Sequence, residues 1–255
     1  PWGITKIGAD VSSTKAGDGT GAITTVNVYI IDTGVDTGHA DLNVVGHVNF
    51  AGGPNKDCNG HGTHVAGTVA AKDNTRDVVG VAPGAPITGV KVLGCGGSGT
   101  WSGVIKGIDW VTANATKPAI ANMSLGGGAS STVENACTYA ANKGVLLVAA
   151  AGNSGDGNTS TTELSYPAAY STVVAVGATN SSDGLASFSS TGSFVEVSAP
   201  GVGILSTYKN AGYATLNGTS MASPHAAGVA ALLWWEAAQS GSPTASSVRT
   251  ALDGR

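Results

Sequence analysis

The chain reads as an α/β protein, a three-layer sandwich whose mainly parallel central sheet is covered by helices on both faces. Three observations carry that expectation. Short apolar runs alternate along the 255 residues with segments of helical pattern, and such alternation indicates a parallel sheet between helices. The run 145–151, Val-Leu-Leu-Val-Ala-Ala-Ala, shows no polar–apolar alternation, which suits a strand buried on both faces. Composition describes a compact globule packed with small residues, with 42% apolar and 11% charged residues and 39 glycines, and argues against disorder. A chain of this length can bury a large core as one domain. No internal repeat or linker-length loop divides it, so a single domain over 1–255 is expected.

Strands are expected at 26–31, 87–93, 119–123, 145–149 and 172–176, and helices at 61–71, 102–112, 132–143 and 220–238. The first strand is rich in β-branched residues and runs into Asp32-Thr33-Gly34. It therefore delivers a carboxylate to its C-terminal end, the edge where open α/β sheets place their sites. Taken singly, Asp32 would be a turn aspartate bonded to its own loop. Next, Asn59-Gly60-His61-Gly62-Thr63-His64 sets a histidine at the start of a helix of small residues. The strand at 145–149 leads to Gly152-Asn153, an amide donor at the same sheet edge, which alone would be an ordinary turn asparagine. The stretches 154–162 and 179–182 are turn-rich loops.

The most informative octet is Gly218-Thr219-Ser220-Met221-Ala222-Ser223-Pro224-His225, followed by an alanine-rich apolar run. Ser220 would stand on the first turn of a buried helix, near N–H groups without intrahelical partners and at the positive end of the dipole. That position favours an attacking oxygen whose reaction creates negative charge nearby. The plainer alternative is an N-cap serine. An acid, a histidine and a serine, each at the end of an element, form a coincidence that three separate structural roles explain poorly.

These segments resemble the subtilisin-like serine proteases, the subtilases, with features of both the subtilisin and the proteinase K branches. The Asp-Thr-Gly strand end, His-Gly-Thr-His-Val-Ala-Gly-Thr and Gly-Thr-Ser-Met-Ala-Ser-Pro-His are that family's signature blocks in its order, and the resemblance runs from Pro1 to about Leu252. It implies a secreted serine endopeptidase of subtilisin-like fold. His61, the first histidine of the pair, would take the proton of Ser220, and Asp32 would hold the imidazole. Asn153 and the Ser220 N–H would stabilise the oxyanion, and His64 would be a packing residue. Ser124, Leu125 and Gly126 would flank the peptide, and Ala151, Gly152 and Ser165 would line the first specificity pocket. Small uncharged residues there imply broad specificity with preference for large apolar or aromatic P1 residues. From the residues themselves, the glycine-rich segment Ser98-Gly99-Thr100 leaves a strand with backbone free to pair with an extended peptide. Trp101 would wall a second apolar pocket or start the following helix in the core.

Three cysteines allow three pairings by sequence alone. Resemblance to heat-stable relatives implies a Cys58–Cys95 disulfide beside the cleft, with Cys137 left as a buried thiol; a disulfide suits an extracellular setting. The chemistry requires no cofactor. Structural calcium is implied for the loop 72–78, through Asp41, Lys72, Asn74, Arg76 and Val78, although Lys72 and Arg76 bring opposing charge.

Other classes fit less well. A formal charge of −4 leaves no basic footprint for nucleic acid, and no apolar run is long enough to span a membrane. Protein and peptide substrates, and proteinaceous inhibitors, are the expected partners of a monomer. Pro1-Trp2-Gly3-Ile4 already reads as structure, so a secreted form would be the processed one, without its pro-segment. Gly94-Cys95-Gly96-Gly97-Ser98-Gly99 matches a dinucleotide-binding fingerprint, but the acidic residue about 20 positions on is missing and Asp109 comes too soon. No His-Glu-x-x-His motif supports a metalloprotease.

Overall fold

Strand β1 (Asn27–Asp32) sends Val28 and Ile30 into one apolar cluster and Tyr29 and Ile31 into another. Period-two geometry divides its residues between the two faces of the sheet, and because both faces are covered, nearly the whole strand is apolar. The same division holds in β5 (Val145–Ala150), where Leu146 and Val148 face one core and Leu147 and Ala149 the other. A computed structural model describes residues 1–76 and 78–254. It contains α1 (Trp2–Lys6), β2 (Val44–Asn49), α2 (His61–Ala70), β3 (Ile87–Lys91), α3 (Trp101–Asn114), β4 (Ala119–Met123) and α4 (Ser131–Asn142). After β5 come β6 (Val173–Thr179), β7 (Val197–Pro200), β8 (Ile204–Tyr208), β9 (Gly212–Leu216), α5 (Thr219–Ala238) and α6 (Ala245–Asp253).

The seven-stranded sheet has the order β2-β3-β1-β4-β5-β6-β7. Every pairing in it is parallel. Helices α2 and α5 supply Val65, Val69, Ala227 and Ala230 to the first core, and α3 and α4 supply Val104, Ile108, Val133 and Cys137 to the second. The expected three-layer α/β architecture is therefore present. β1 lies between β3 and β4, so the connections leaving β1 and β4 diverge and open a crevice at their C-terminal ends. No helix among the described residues is long and apolar enough to cross a membrane.

Expected elements shift by up to three residues at their ends, the largest change being β6, expected at 172–176 and found at Val173–Thr179. The helix expected at 102–112 spans Trp101–Asn114 with Thr100 as its N-cap, the Thr100 side chain accepting from the Gly103 N–H at 3.2 Å. Strands β2 and β7 and the β8–β9 hairpin are additions, as is α6. β2 is a partly exposed edge strand with an irregular register between Val44 and Gly46, and β7 closes the other edge with Pro200, whose missing N–H is tolerated there. The hairpin turn carries Asn210 and Ala211 at φ 59° and 55°. Alanine is an unusual occupant of that conformation, which weakens the hairpin signal. α6 buries only Val248 and Leu252 and begins with a reciprocal Thr244–Ser247 capping box. Arg249 docks it with two bonds to Glu196, at 2.8 and 2.5 Å.

The hairpin lies across α2. A side chain at Gly67 would collide with Thr207, so glycine permits this approach. Ser206 Oγ and Thr207 Oγ1 donate to the His64 and Thr63 carbonyls, each at 2.8 Å. His64 Nε2 donates in turn to the Ile204 and Ala214 carbonyls at 2.9 and 3.1 Å. His64 thus fastens the hairpin to the helix. Burial, with little relief from the carbonyls, pushes its pKa down to about 4, and burial does the same to His225 in α5.

Both histidines stay neutral in the fold while the unfolded chain protonates near 6.5. Their contribution is complete above that pH and is lost as pH falls toward 4, where the unfolded state holds more protons. The denaturant midpoint should therefore drop between pH 7 and 4.5, and His225→Gln should flatten that slope. A midpoint independent of pH, or a slope unchanged in the variant, would contradict this.

Candidate active site

Five segments converge on the C-terminal edge of the sheet: the end of β1, the start of α2, the loops after β4 and β5, and the start of α5. Asp32 ends β1 fully buried, and its Oδ1 accepts from the Thr33 N–H at 2.6 Å and from His61 Nδ1 at 2.7 Å. His61 opens α2. With Nδ1 engaged as a donor, Nε2 is the ring nitrogen left for the cleft. Burial works against the charged imidazolium, but the attraction of Asp32, its hydrogen bond and the charge of Asp57 outweigh burial and raise the His61 pKa above the usual 6.5.

Ser220 is the second residue of α5 and lines the same cleft as His61. Its Oγ donates to the Ser124 carbonyl at 3.2 Å. The preceding Gly218 has φ 148°, a conformation L side chains rarely adopt. Pro224 sits inside α5 and has no N–H for the carbonyl four residues back, which is that of Ser220. Ser124 Oγ replaces that donor at 2.8 Å, and it accepts from Asn122 Nδ2 at 2.9 Å. Asn122 Oδ1 accepts from Ser223 Oγ at 2.7 Å, closing a buried loop of polar groups between β4 and α5.

Asn153 follows β5, and its Oδ1 accepts from both the N–H and the Oγ1 of Thr219, each at 2.9 Å. These two bonds fix which end of the amide is which. The Nδ2 end remains as a donor in the pocket that Asn153 shares with Ser220.

The cleft, about 510 Å³, is bounded by Ser98, Gly99 and Thr100 on one side and by Ser124, Leu125 and Gly126 on the other, with Trp101 and Val104 on its wall. Gly99 makes an antiparallel bridge to Leu93, and the exposed backbone of 97–100 beyond it forms a ready strand edge. A second pocket, about 460 Å³, adjoins Ser220 and includes Gly152, Leu164 and Ser165. Ala151 does not line it. That residue is fully buried and its N–H is held by the Val176 carbonyl, and Ala150, the last residue of β5, takes the lining position instead. The fingerprint glycines 94–99 form an exposed turn whose Cys95 is disulfide-bonded to Cys58, with a Cα–Cα distance of 5.0 Å. Cys137 is free and buried, and burial, then Glu134, pushes its thiol up to about 12.

The residues implied for calcium do not fit a hard cation. Asn74 presents its Nδ2 hydrogens to Asp41 Oδ1 at 2.6 Å, while its Oδ1 accepts from the Arg76 N–H at 2.8 Å. Lys72 Nζ takes the neighbouring Ala40 carbonyl at 3.0 Å. Calcium needs converging oxygens, and this loop offers Asp41 a donor instead. Val78 is buried, and Asp77 lies outside the described residues. No group of three or more His, Cys, Asp or Glu among the described residues could hold a metal.

Thr33, Asp57, Lys91, Thr219 and the hydroxyl of Ser124 were not singled out by sequence. Asp57, in the Asp-Cys-Asn-Gly run before α2, carried a capping signal that a glycine at the N-cap position should have prompted.

A serine on the first turn of a helix, a buried carboxylate–imidazole pair and a cleft at the edge of a parallel sheet are the features of a serine hydrolase. A model of the Subtilase family matches residues 24–252. The chain is 50% identical to subtilisin DY of Bacillus licheniformis over 236 residues, covering 91% of this chain and 84% of that protein. It is 49% identical to alkaline elastase YaB of Bacillus sp. (strain YaB), over 91% of this chain and 59% of the relative's length. The crystal structure of a cold adapted subtilisin-like serine proteinase superimposes with a TM-score of 0.82 at 38% identity, covering 100% of this chain and 91% of that one. The chain belongs to the subtilase family and is a serine endopeptidase of the subtilisin type.

Two outcomes test the loops around the site. Without a calcium site at 72–78, the melting temperature should be the same in chelator and in calcium; a drop in chelator would show that a cation is held. Replacing Cys58 and Cys95 by serine should lower stability by about 4 kcal/mol on the chain-entropy model for a loop of this size. Unchanged denaturant midpoints would show that the bond constrains little.

Proposed function

We propose that the chain is a secreted endopeptidase that cleaves protein and peptide substrates through an acyl-enzyme, with Ser220 as nucleophile, His61 as general base and then acid, and Asp32 as the group that orients His61. The observation that carries this reading is the 2.7 Å bond from His61 Nδ1 to buried Asp32, which leaves Nε2 for a cleft that Ser220 also lines. A serine hydroxyl is a weak nucleophile until a base accepts its proton during attack. His61 takes that proton as the Ser220 oxygen bonds to the peptide carbonyl, and returns it to the leaving amine. Water then enters by the same route, His61 again removing a proton, and the acid product leaves with Ser220 regenerated. Asp32 remains ionised throughout and stabilises the imidazolium.

The oxyanion formed in each half-reaction meets the Asn153 amide and the Ser220 N–H at the positive end of α5. Extended peptide backbone adds between segments 97–100 and 124–126. Among the described residues no charged one lines the second pocket, which supports acceptance of large apolar or aromatic side chains before the scissile bond. The disulfide supports an extracellular location. The enzyme acts as a monomer without a cofactor for its chemistry, and proteinaceous inhibitors would occupy the cleft as substrates do. Residues 1–255 are read as a single peptidase domain.

A sulfonyl fluoride should label Ser220 and abolish cleavage of an aromatic-P1 peptide, and His61→Ala should prevent labelling. Reaction elsewhere, or persistent labelling without His61, would overturn the roles. Asn153→Ala should lower kcat with little change in KM, by about 10²–10³ as established for this donor in subtilisin and carried over from it. A change confined to KM would assign Asn153 to binding.

A further inference from the structure

Beneath the Asp32–His61 pair lies a second set of buried charges. Asp57 is buried, and its carboxylate accepts at Oδ1 from Thr33 Oγ1 (2.9 Å), Asn59 N–H (3.0 Å) and Gly60 N–H (2.7 Å). Its Oδ2 accepts from the Thr63 N–H (2.9 Å) and Thr63 Oγ1 (2.6 Å). Lys91 ends β3 with no exposed surface, its Nζ donating to the carbonyls of Thr33 (2.7 Å) and Leu93 (2.9 Å).

These bonds complete the N-terminus of α2. Its N-cap residue is Gly60, which has no side chain to offer. The His61 N–H goes to Asn59 Oδ1 (3.2 Å), the Gly62 N–H to Thr33 Oγ1 (2.9 Å) and the Thr63 N–H to Asp57. Thr33 Oγ1 therefore bridges two elements: it gives its proton to Asp57 and accepts one from the helix turn that carries His61. Lys91 holds the carbonyl of the same threonine, and the Thr33 N–H holds Asp32.

We propose that Asp57 and Lys91 are positioning residues, a buried carboxylate and ammonium that clamp Thr33 from both sides and so fix the Asp32–His61 pair in place and in charge balance. The inference rests on the reading of His61 as the base. Asp32 Oδ2 is buried with no hydrogen-bond partner among the described residues, and both short contacts to this carboxylate fall on Oδ1. Burial pulls the Lys91 pKa down, and Asp57 and Asp32 both oppose that fall. The other ionisable groups around His61 are few. His64 is neutral one turn along α2, Asp36 accepts from the Gly38 and Ala211 N–H groups, and Lys209 reaches the Cys58 carbonyl at 2.9 Å.

By Coulomb's law a carboxylate at Asp57 and an ammonium at Lys91 should act on His61 with opposite sign. Asp57 favours its protonated form, so Asp57→Asn makes His61 a weaker base, and the acid limb of kcat/KM moves to lower pH. Lys91→Met removes a positive charge, and the limb moves to higher pH. Each shift should be roughly half a pH unit or more at buried separations. General loosening of the site would lower activity without moving the limb in opposite directions. Thr33→Val removes the bridging hydroxyl and no charge; it should lower kcat while leaving KM and the limb unchanged, and it serves if Asp57→Asn does not fold.

The experiment is the pH profile of kcat/KM for the wild type and these variants, with His61→Ala alongside. Opposite shifts for Asp57→Asn and Lys91→Met together with the kcat loss in Thr33→Val support the inference, as does the Lys91→Met shift with that loss where Asp57→Asn does not fold. An inactive His61→Ala with limbs fixed in the charge variants, or full kcat in Thr33→Val, overturns it and leaves the base assignment standing. An active His61→Ala overturns the base assignment itself.

Discussion

Asp32 and His61 are 29 residues apart in sequence and meet at 2.7 Å because a buried strand ends where a helix begins. Much of the structure serves that contact. The sheet buries Asp32 completely, so its charge acts through a medium of low polarisability and its hold on the imidazole is strong. Desolvation would by itself favour neutral histidine, and the raised pKa shows that the carboxylate prevails. Raised basicity at a fixed ring nitrogen is what the proposed role of Nε2, as acceptor for the Ser220 proton, requires. Parallel topology makes this convergence economical of chain: every strand ends on the same side, so carboxylate, amide and helix termini reach one crevice through short connections.

The start of α5 shows how a local defect becomes part of a site. A proline inside a helix leaves a carbonyl without its donor. Here that carbonyl belongs to Ser220, and Ser124 from the end of β4 supplies the replacement bond. The replacement ties the serine's backbone to the strand that also leads into the cleft wall. Thr219, one residue earlier, saturates the carbonyl oxygen of Asn153 and leaves its amide hydrogens for a negative charge. Neighbouring residues on one helical turn thus hold both the Ser220 hydroxyl, the proposed nucleophile, and the amide that would receive the oxyanion.

Much of this was legible in the chain. The apolar runs of β1, β4 and β5 signalled a doubly covered sheet because burial on both faces erases alternation. Two of the three signature blocks named Asp32 and His61, which meet at 2.7 Å, and the third named Ser220, which lines the same cleft as His61. Features defined by non-local partners were harder to read. β2 and β7 are edge strands, and the β8–β9 turn uses Ala211 at positive φ. α6 has two buried residues and owes its place to Arg249 reaching Glu196, 53 positions away. Asp57 and Lys91 looked like ordinary charges until the fold closed around them. The orientation of Asn74 was not legible for a related reason: which end of its amide faces Asp41 depends on the Arg76 backbone, which residue identity does not encode.

If Asp32, His61 and Ser220 act as one device, their removal is strongly non-additive. The most direct measurement is kcat on one peptide substrate for Ser220→Ala, His61→Ala and the double variant. The account predicts that the double variant is hardly slower than either single one, because each substitution already disables proton transfer to and from the attacking oxygen. Losses that multiply in the double variant would show that the two side chains work independently, and the account would fail.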